Sequence, residues 1–361
     1  MPLNSYITLG TSGLRVSPFC LGTMTFGEEW GWGSTPEDSE NILSAFLERG
    51  GNFIDTANLY TKGHSEKIIG DFIAKDKPRR ERMVLATKFC GNLYPGDPNG
   101  GGAGRKAIFA QCEQSLRRLQ TEYIDLYWMH SNDIFTPIDE TIRAMDDLVS
   151  SGKVRYLGFS DCPAWRVAQA QTTAFFRGWA PLIALQIEYS LLERTVEGEL
   201  IPMAQNLGLG VTPWSPLKSG ALSGKYTQQN KGDAKADGGR QVASSLTDEA
   251  FDIIDELQKI SKELDSTVAA VALAWVHGRP GVSSTIIGAR TMKQLDSNLA
   301  ALDLSLNVDQ IGQLDKLSKP KLNFPFEFLK RAPLLSSGGA TVNGVAGPLL
   351  PMLPKDLEDH Y

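Results

Sequence analysis

Eight times along 361 residues, a short apolar run gives way to a polar loop and then to ten or more residues whose apolar positions recur at helical spacing. The apolar runs are 19–22, 52–55, 84–88, 124–130, 154–160, 182–188, 210–214 and 284–288. The helical patterns between and after them are 36–49, 65–74, 106–119, 138–150, 163–173, 197–206 and the pair 248–264 and 268–276. Each run is apolar on both faces, as parallel strands covered by helices are. Eight such units predict an α/β fold, a closed (β/α)₈ TIM barrel, where length alone would allow two or three domains. The barrel is assigned to residues 1–320. It opens with a β-hairpin, 6–9 and 14–17, placed to cap the barrel bottom. A C-terminal extension, 321–361, is rich in Pro and Gly with little periodicity. Long loops at 89–105 and 216–246 follow strands, so both are expected at the C-terminal face, where barrels carry their active sites and lids.

Composition removes several function classes. The balance of 36 basic and 42 acidic residues gives −6, and no dense Lys/Arg run supplies the footprint of a nucleic-acid or anionic-membrane binder. The longest apolar stretch, 268–276, is too short to span a bilayer, and the first residues lack a signal-peptide pattern. Cys20, Cys90, Cys112 and Cys162 stand far apart without a C-x-x-C, which suits reduced thiols and a cytoplasmic location. His64, His130, His277 and His360 show no i, i+4 pair, so no metal site is expected. Gly102-Ala103-Gly104-Arg105-Lys106-Ala107 fits a G-x-G-x-x-A fingerprint, but thirteen residues separate it from the preceding strand, and it is read as a flexible loop.

The polar residues that close the apolar strands carry the chemistry. Strand two ends in Asp55, three in Lys88, four in His130 and five in Ser160; strand six runs through Gln186, and strand seven ends in Trp214-Ser215. In a barrel such positions converge at one mouth. Tyr60, five residues after Asp55, lies in the next loop and can turn back over it. An ammonium beside a phenol favours the phenolate, and an imidazole can hydrogen-bond the same oxygen or a substrate carbonyl. Asp55, Tyr60, Lys88 and His130 together make a proton donor tuned for a carbonyl oxygen, which needs a hydride source beside it.

These residues resemble the aldo-keto reductases from about Tyr6 to Leu317. Asp55 to Tyr60 is similar to the family's Asp-x₄-Tyr signature, Ala86-Thr87-Lys88 to its lysine strand, and 125–130 to its histidine strand. The resemblance implies Tyr60 as general acid and base, Lys88 lowering its pKa, Asp55 pairing with Lys88, and His130 orienting the carbonyl. It implies a nicotinamide held by Ser160, Asp161 and Gln186, with Trp214 stacked on one face; the family commonly has Asn where Asp161 stands. Gly22, Thr23 and Met24 join that site after strand one. Ser215, Pro216, Leu217, Lys218 and Gly220 resemble the family's pyrophosphate loop, continued by Lys225 and Arg240. Gly288, Arg290, Gln294 and Asn298 resemble its adenosine-phosphate clamp. Arg290 beside a helix N-terminus suits a 2′-phosphate, so NADP(H) is the expected cofactor.

Loop aromatics, Trp30, Trp32, Tyr94 and Phe324 among them, are assigned to a pocket for a small aldehyde, ketone or alcohol. The expected reaction is reversible NADPH-linked reduction of a carbonyl to an alcohol. Two alternatives stand beside it: a non-catalytic NADP-binding regulatory subunit, and an aldolase-type lyase using Lys88 as a Schiff-base nucleophile. The number of subunits is left open.

Overall fold

The computed structural model describes residues 1–229, 242–354 and 358. A hairpin of β1 (Ile7–Thr8) and β2 (Arg15–Val16) precedes eight parallel strands: β3 (Phe19–Gly22), β4 (Phe53–Asp55), β5 (Val84–Phe89), β6 (Ile124–Met129), β7 (Val154–Ser160), β8 (Leu182–Glu188), β9 (Gly210–Trp214) and β10 (Thr285–Gly288). The strands follow one another in chain order around the sheet, with β10 pairing back onto β3. The seam between β9 and β10 is closed where the Ser283 N–H donates to the Val211 carbonyl at 2.8 Å. The fold is a (β/α)₈ barrel.

The helices start where their caps dictate. In α1 (Pro36–Glu48), the Thr35 hydroxyl accepts from the Asp38 N–H, Pro36 takes the first position, and Glu37 and Asp38 face the positive end of the helix dipole. The same threonine capping opens α7 (Asp248–Glu263), α8 (Val268–His277) and α9 (Met292–Leu299), and an Asn307–Gln310 capping box opens α10 (Val308–Leu317). Between them stand α2 (His64–Ala74), α3 (Arg105–Leu119), α4 (Ile138–Ser150), α5 (Ala164–Arg177) and α6 (Leu200–Asn206). The expected helix at 197–206 is two pieces, a 3₁₀ turn over Thr195–Glu197 and α6.

Strand parity explains the layers. In β5, Leu85 packs in the shell of strands and helices, while Val84 and Ala86 join Phe53, Leu126, Trp128 and Ile286 inside the barrel. The interior is filled, and a Cβ added at Gly158 would lie 2.4 Å from the Trp128 ring. Leu9 and Val16 of the hairpin join this interior cluster and plug its lower end. Residues 1–319 and 320–361 form two separate compact units. Within the second, the extension of little periodicity forms α11 (Phe326–Leu329), α12 (Ala332–Ser337) and a hairpin of β11 (Thr341–Val342) and β12 (Val345–Ala346). Among the described residues no helix is long and apolar enough to cross a membrane.

Candidate active site

The parity that puts Phe53, Ala86, Leu126 and Trp128 inside the barrel also turns the strand-closing residues inward. Asp55 lies two residues beyond Phe53, Lys88 two beyond Ala86, and His130 two beyond Trp128. Ser160 pairs with Gln186, Gly22 with Asp55, and Glu188 with Trp214 in the strand register. One level of the barrel mouth therefore collects the polar groups.

Lys88 is fully buried, and its three ammonium hydrogens have three acceptors: Asp55 Oδ2, the Thr56 carbonyl at 2.9 Å and Tyr60 Oη at 3.1 Å. Gln186 Nε2 donates to the other Asp55 oxygen at 3.1 Å, so the carboxylate is held from two strands. Burial opposes the ammonium, but the Asp55 carboxylate and Tyr60 outweigh it and hold Lys88 above its ordinary pKa. Because Lys88 donates to the phenol oxygen, the phenol's own hydrogen remains available to a further acceptor.

Tyr60 stands under opposing influences. Burial pushes its pKa up, Lys88 pulls it down, and Asp55 pushes it up again; the net direction is upward. Lys88 does act on Tyr60 as expected, but desolvation wins, and the group is a neutral phenol at pH 7. Burial, and secondarily Lys88, drives His130 down to about 3, so its imidazole is neutral. Its ring stands edge-on to Tyr60, with centroids 5.7 Å apart. Trp30 also lies edge-on to Tyr60, at 6.4 Å, and Trp32 packs on Trp30 at 5.5 Å. The Thr61 hydroxyl, donating to the Phe26 carbonyl at 2.8 Å, ties the Tyr60 turn to the loop that carries both tryptophans. Glu29 of that loop pairs with His64.

Around the same mouth, the Trp214 indole N–H donates to Asp161 Oδ1 at 3.0 Å, and the Ser160 hydroxyl to Asp161 Oδ2 at 3.3 Å. Met24 is exposed, and Thr23 Oγ1 donates to the Asp55 carbonyl at 3.1 Å. In the following loop, Lys218, Ser219 and Gly220 turn left-handed, Ser215 Oγ accepts from the Ser219 N–H at 2.9 Å, and Lys218 pairs with Glu188 at 2.8 Å. Pro216 and Leu217 lie within this turn, Lys225 is exposed beyond it, and Arg240 falls outside the described residues. Arg290 directly precedes the cap of α9. Gln294 Oε1 accepts its backbone N–H at 2.8 Å, and Asn298 Nδ2 donates to the Gly288 carbonyl at 3.0 Å. Tyr94 is exposed in the loop after β5, and Phe324 stacks on Phe328 inside the second unit.

Sequence reasoning missed the Thr56 carbonyl, the Gln186–Asp55 bond and the Glu29–His64 pair. The first is a backbone group, and the other two join residues far apart in the chain. The G-x-G-x-x-A stretch borders a surface cleft of about 390 Å³. Asp133 accepts the Ala103 N–H and Glu140 the Arg105 N–H, each at 2.8 Å, so two carboxylates already cap the start of α3 and leave no phosphate cradle.

Residues 18–319 match the profile of the aldo/keto reductase family. The chain belongs to this family. It is 40% identical to an uncharacterized oxidoreductase, YrpG, of Bacillus subtilis, over 86% of this chain and 95% of the relative. It is 35% identical to an aryl-alcohol dehydrogenase of Pestalotiopsis microspora, over 88% and 83% respectively. It is also 37% identical to a probable voltage-gated potassium channel subunit beta of Arabidopsis thaliana, over 88% and 98%. Family membership makes this aldo/keto reductase an oxidoreductase.

Proposed function

We propose that this aldo/keto reductase catalyses the reversible, NADPH-dependent reduction of aldehydes and ketones to alcohols, with Tyr60 as general acid and base. The observation that carries the reading is the saturation of Lys88. Its three hydrogens are committed to Asp55, Thr56 and Tyr60, which leaves the Tyr60 proton for a carbonyl oxygen at the mouth. As that O–H bond breaks, the phenolate keeps the Lys88 ammonium as its stabilising neighbour, and in the oxidation direction the same oxygen takes the proton back. His130, neutral and beside Tyr60, offers an N–H to the same substrate oxygen without competing as an acid.

The mouth fits a nicotinamide dinucleotide. Trp214 offers a ring face, Gln186 an amide oxygen without a donor among the described residues, and the loop from Ser215 to Gly220 a run of left-handed backbone. Arg290 has no acidic partner among the described residues and adjoins the N-terminus of α9, which supports NADP(H) over NAD(H). Bound there, the cofactor supplies the hydride. Trp30 and Trp32 beside Tyr60 favour aryl carbonyls, in line with relatives named aryl-alcohol dehydrogenase and norsolorinic acid reductase. We assign catalysis to residues 1–320, take 321–361 as an extension, and place the protein in the cytoplasm, where its four free cysteines stay reduced.

The Schiff-base alternative requires a neutral Lys88 amine, which the Asp55 pairing opposes. The regulatory-subunit reading draws on the Arabidopsis relative. Tyr60→Phe separates these cases. Turnover across a panel of aryl aldehydes should fall by about 10²–10⁴-fold while NADPH binding, read by its fluorescence, persists. Turnover retained by Tyr60→Phe would refute the assignment, and wild-type protein that binds NADPH but turns over no carbonyl selects the regulatory reading.

A further inference from the structure

We propose that Asp161 is a positioning residue: its carboxylate clamps the indole N–H of Trp214 and so fixes the angle of the ring offered to the nicotinamide. The inference rests on the cofactor reading above. Asp161 is the first residue beyond β7, and its backbone is left-handed at φ 46°. Ser215, the first residue beyond Trp214, is left-handed as well, at φ 51°. Asp and Ser adopt this conformation at a cost, and it is kept where surrounding contacts enforce it. At Asp161 the enforcing contact is its own N–H, donated to the Gln186 carbonyl of β8 at 3.1 Å. The turn carries the side chain across β8 to β9, where Oδ1 accepts the Trp214 Nε1–H at 3.0 Å. Oδ2 is occupied by the Ser160 hydroxyl at 3.3 Å.

An indole has one polar group and it only donates, so a Trp at the lip of a barrel either finds an acceptor or leaves that edge to water and pivots. A carboxylate is the stronger acceptor for it. Each carboxylate oxygen has a second lone pair, so the clamp leaves acceptor capacity for the expected contact of Asp161 to the nicotinamide carboxamide. Asn at 161 retains one oxygen for the indole and an N–H₂ that Ser160 can accept. Ala retains neither.

The test has two arms. In protein carrying ¹⁵N-labelled tryptophan, the Trp214 indole N–H, assigned by its loss in Trp214→Phe, should shift and exchange at least tenfold faster with solvent in Asp161→Ala, and stay protected in Asp161→Asn. In fluorescence titrations, Asp161→Ala should weaken NADPH binding roughly tenfold, the worth of one charge-assisted hydrogen bond, and Asp161→Asn by less than about threefold. On a Trp214→Phe background, which keeps a stacking face but has no indole N–H, Asp161→Ala should change affinity by less than twofold. An equal loss on both backgrounds, or an indole indifferent to Asp161→Ala, overturns the clamp. A protected Trp214 indole in wild-type protein that binds no NADPH overturns the cofactor reading and leaves the clamp standing.

Discussion

Replacing Asp55 by Asn removes one charge from a fully buried pair and leaves the other. The Lys88 ammonium, itself fully buried, then keeps only uncharged acceptors: the amide oxygen of the new side chain, the Thr56 carbonyl and the Tyr60 hydroxyl. Breaking a buried ion pair from one side costs about 3–5 kcal/mol. At about 2 °C per kcal/mol for a chain of this size, Asp55→Asn should lower Tm by roughly 6–10 °C at pH 7.

The pH dependence gives a sharper check. In the native protein the folded pKa of Lys88 lies above its unfolded value of about 10.4, so the contribution is fully present below that pH and lost as pH rises through the folded value. Without Asp55, burial drives the folded pKa below about 10.4; the unfolded chain then binds the extra proton, and stability climbs with pH toward 10. Urea denaturation between pH 7 and 10 should therefore find the Lys88 contribution flat in the native protein and rising with pH in Asp55→Asn. Asp55→Asn/Lys88→Met, with no charge left to strand, should recover most of the loss. The reasoning fails if Asp55→Asn lies within 1 kcal/mol of wild type at pH 7, or if the double variant is no more stable than the single one.

Three further outcomes follow from the mouth and the helix shell. Because His130 titrates at about 3, log kcat/KM for carbonyl reduction should show no imidazole limb between pH 5 and 8; an inflection near 6.5 that vanishes in His130→Gln would contradict the buried neutral ring. The same depression means that stability falls as pH drops from about 6.5 toward about 3, since the unfolded chain takes the proton that the folded one refuses, and His130→Gln should flatten that part of a urea-stability profile. Gly70→Ala in α2 should destabilise by about 1–3 kcal/mol, because the new Cβ would meet the Arg118 carbonyl at 2.1 Å; helix propensity alone predicts a gain of about 1 kcal/mol, so thermal melting decides between them.

The eight units and the tetrad were legible because each depends on local pattern. An apolar run with a polar residue at its end specifies a strand, a parity and a mouth position, and that suffices to bring Asp55, Lys88, His130, Ser160, Gln186 and Trp214 to one level of a barrel. Short segments such as α11 and α12, and the break before α6, were not legible, because too few residues lie in each for periodicity to register.

What the chain itself settled was therefore the barrel, the order of its strands and the set of groups that meet at its mouth. Tertiary structure alone decided how those groups share their protons. Asp55 is divided between Lys88 and Gln186, which lie 33 and 131 residues away, Tyr60 is made a weaker acid by burial in spite of Lys88, and Asp161 accepts the Trp214 indole N–H. Desolvation and hydrogen-bond direction depend on what surrounds an atom in space, and no spacing along the chain encodes them.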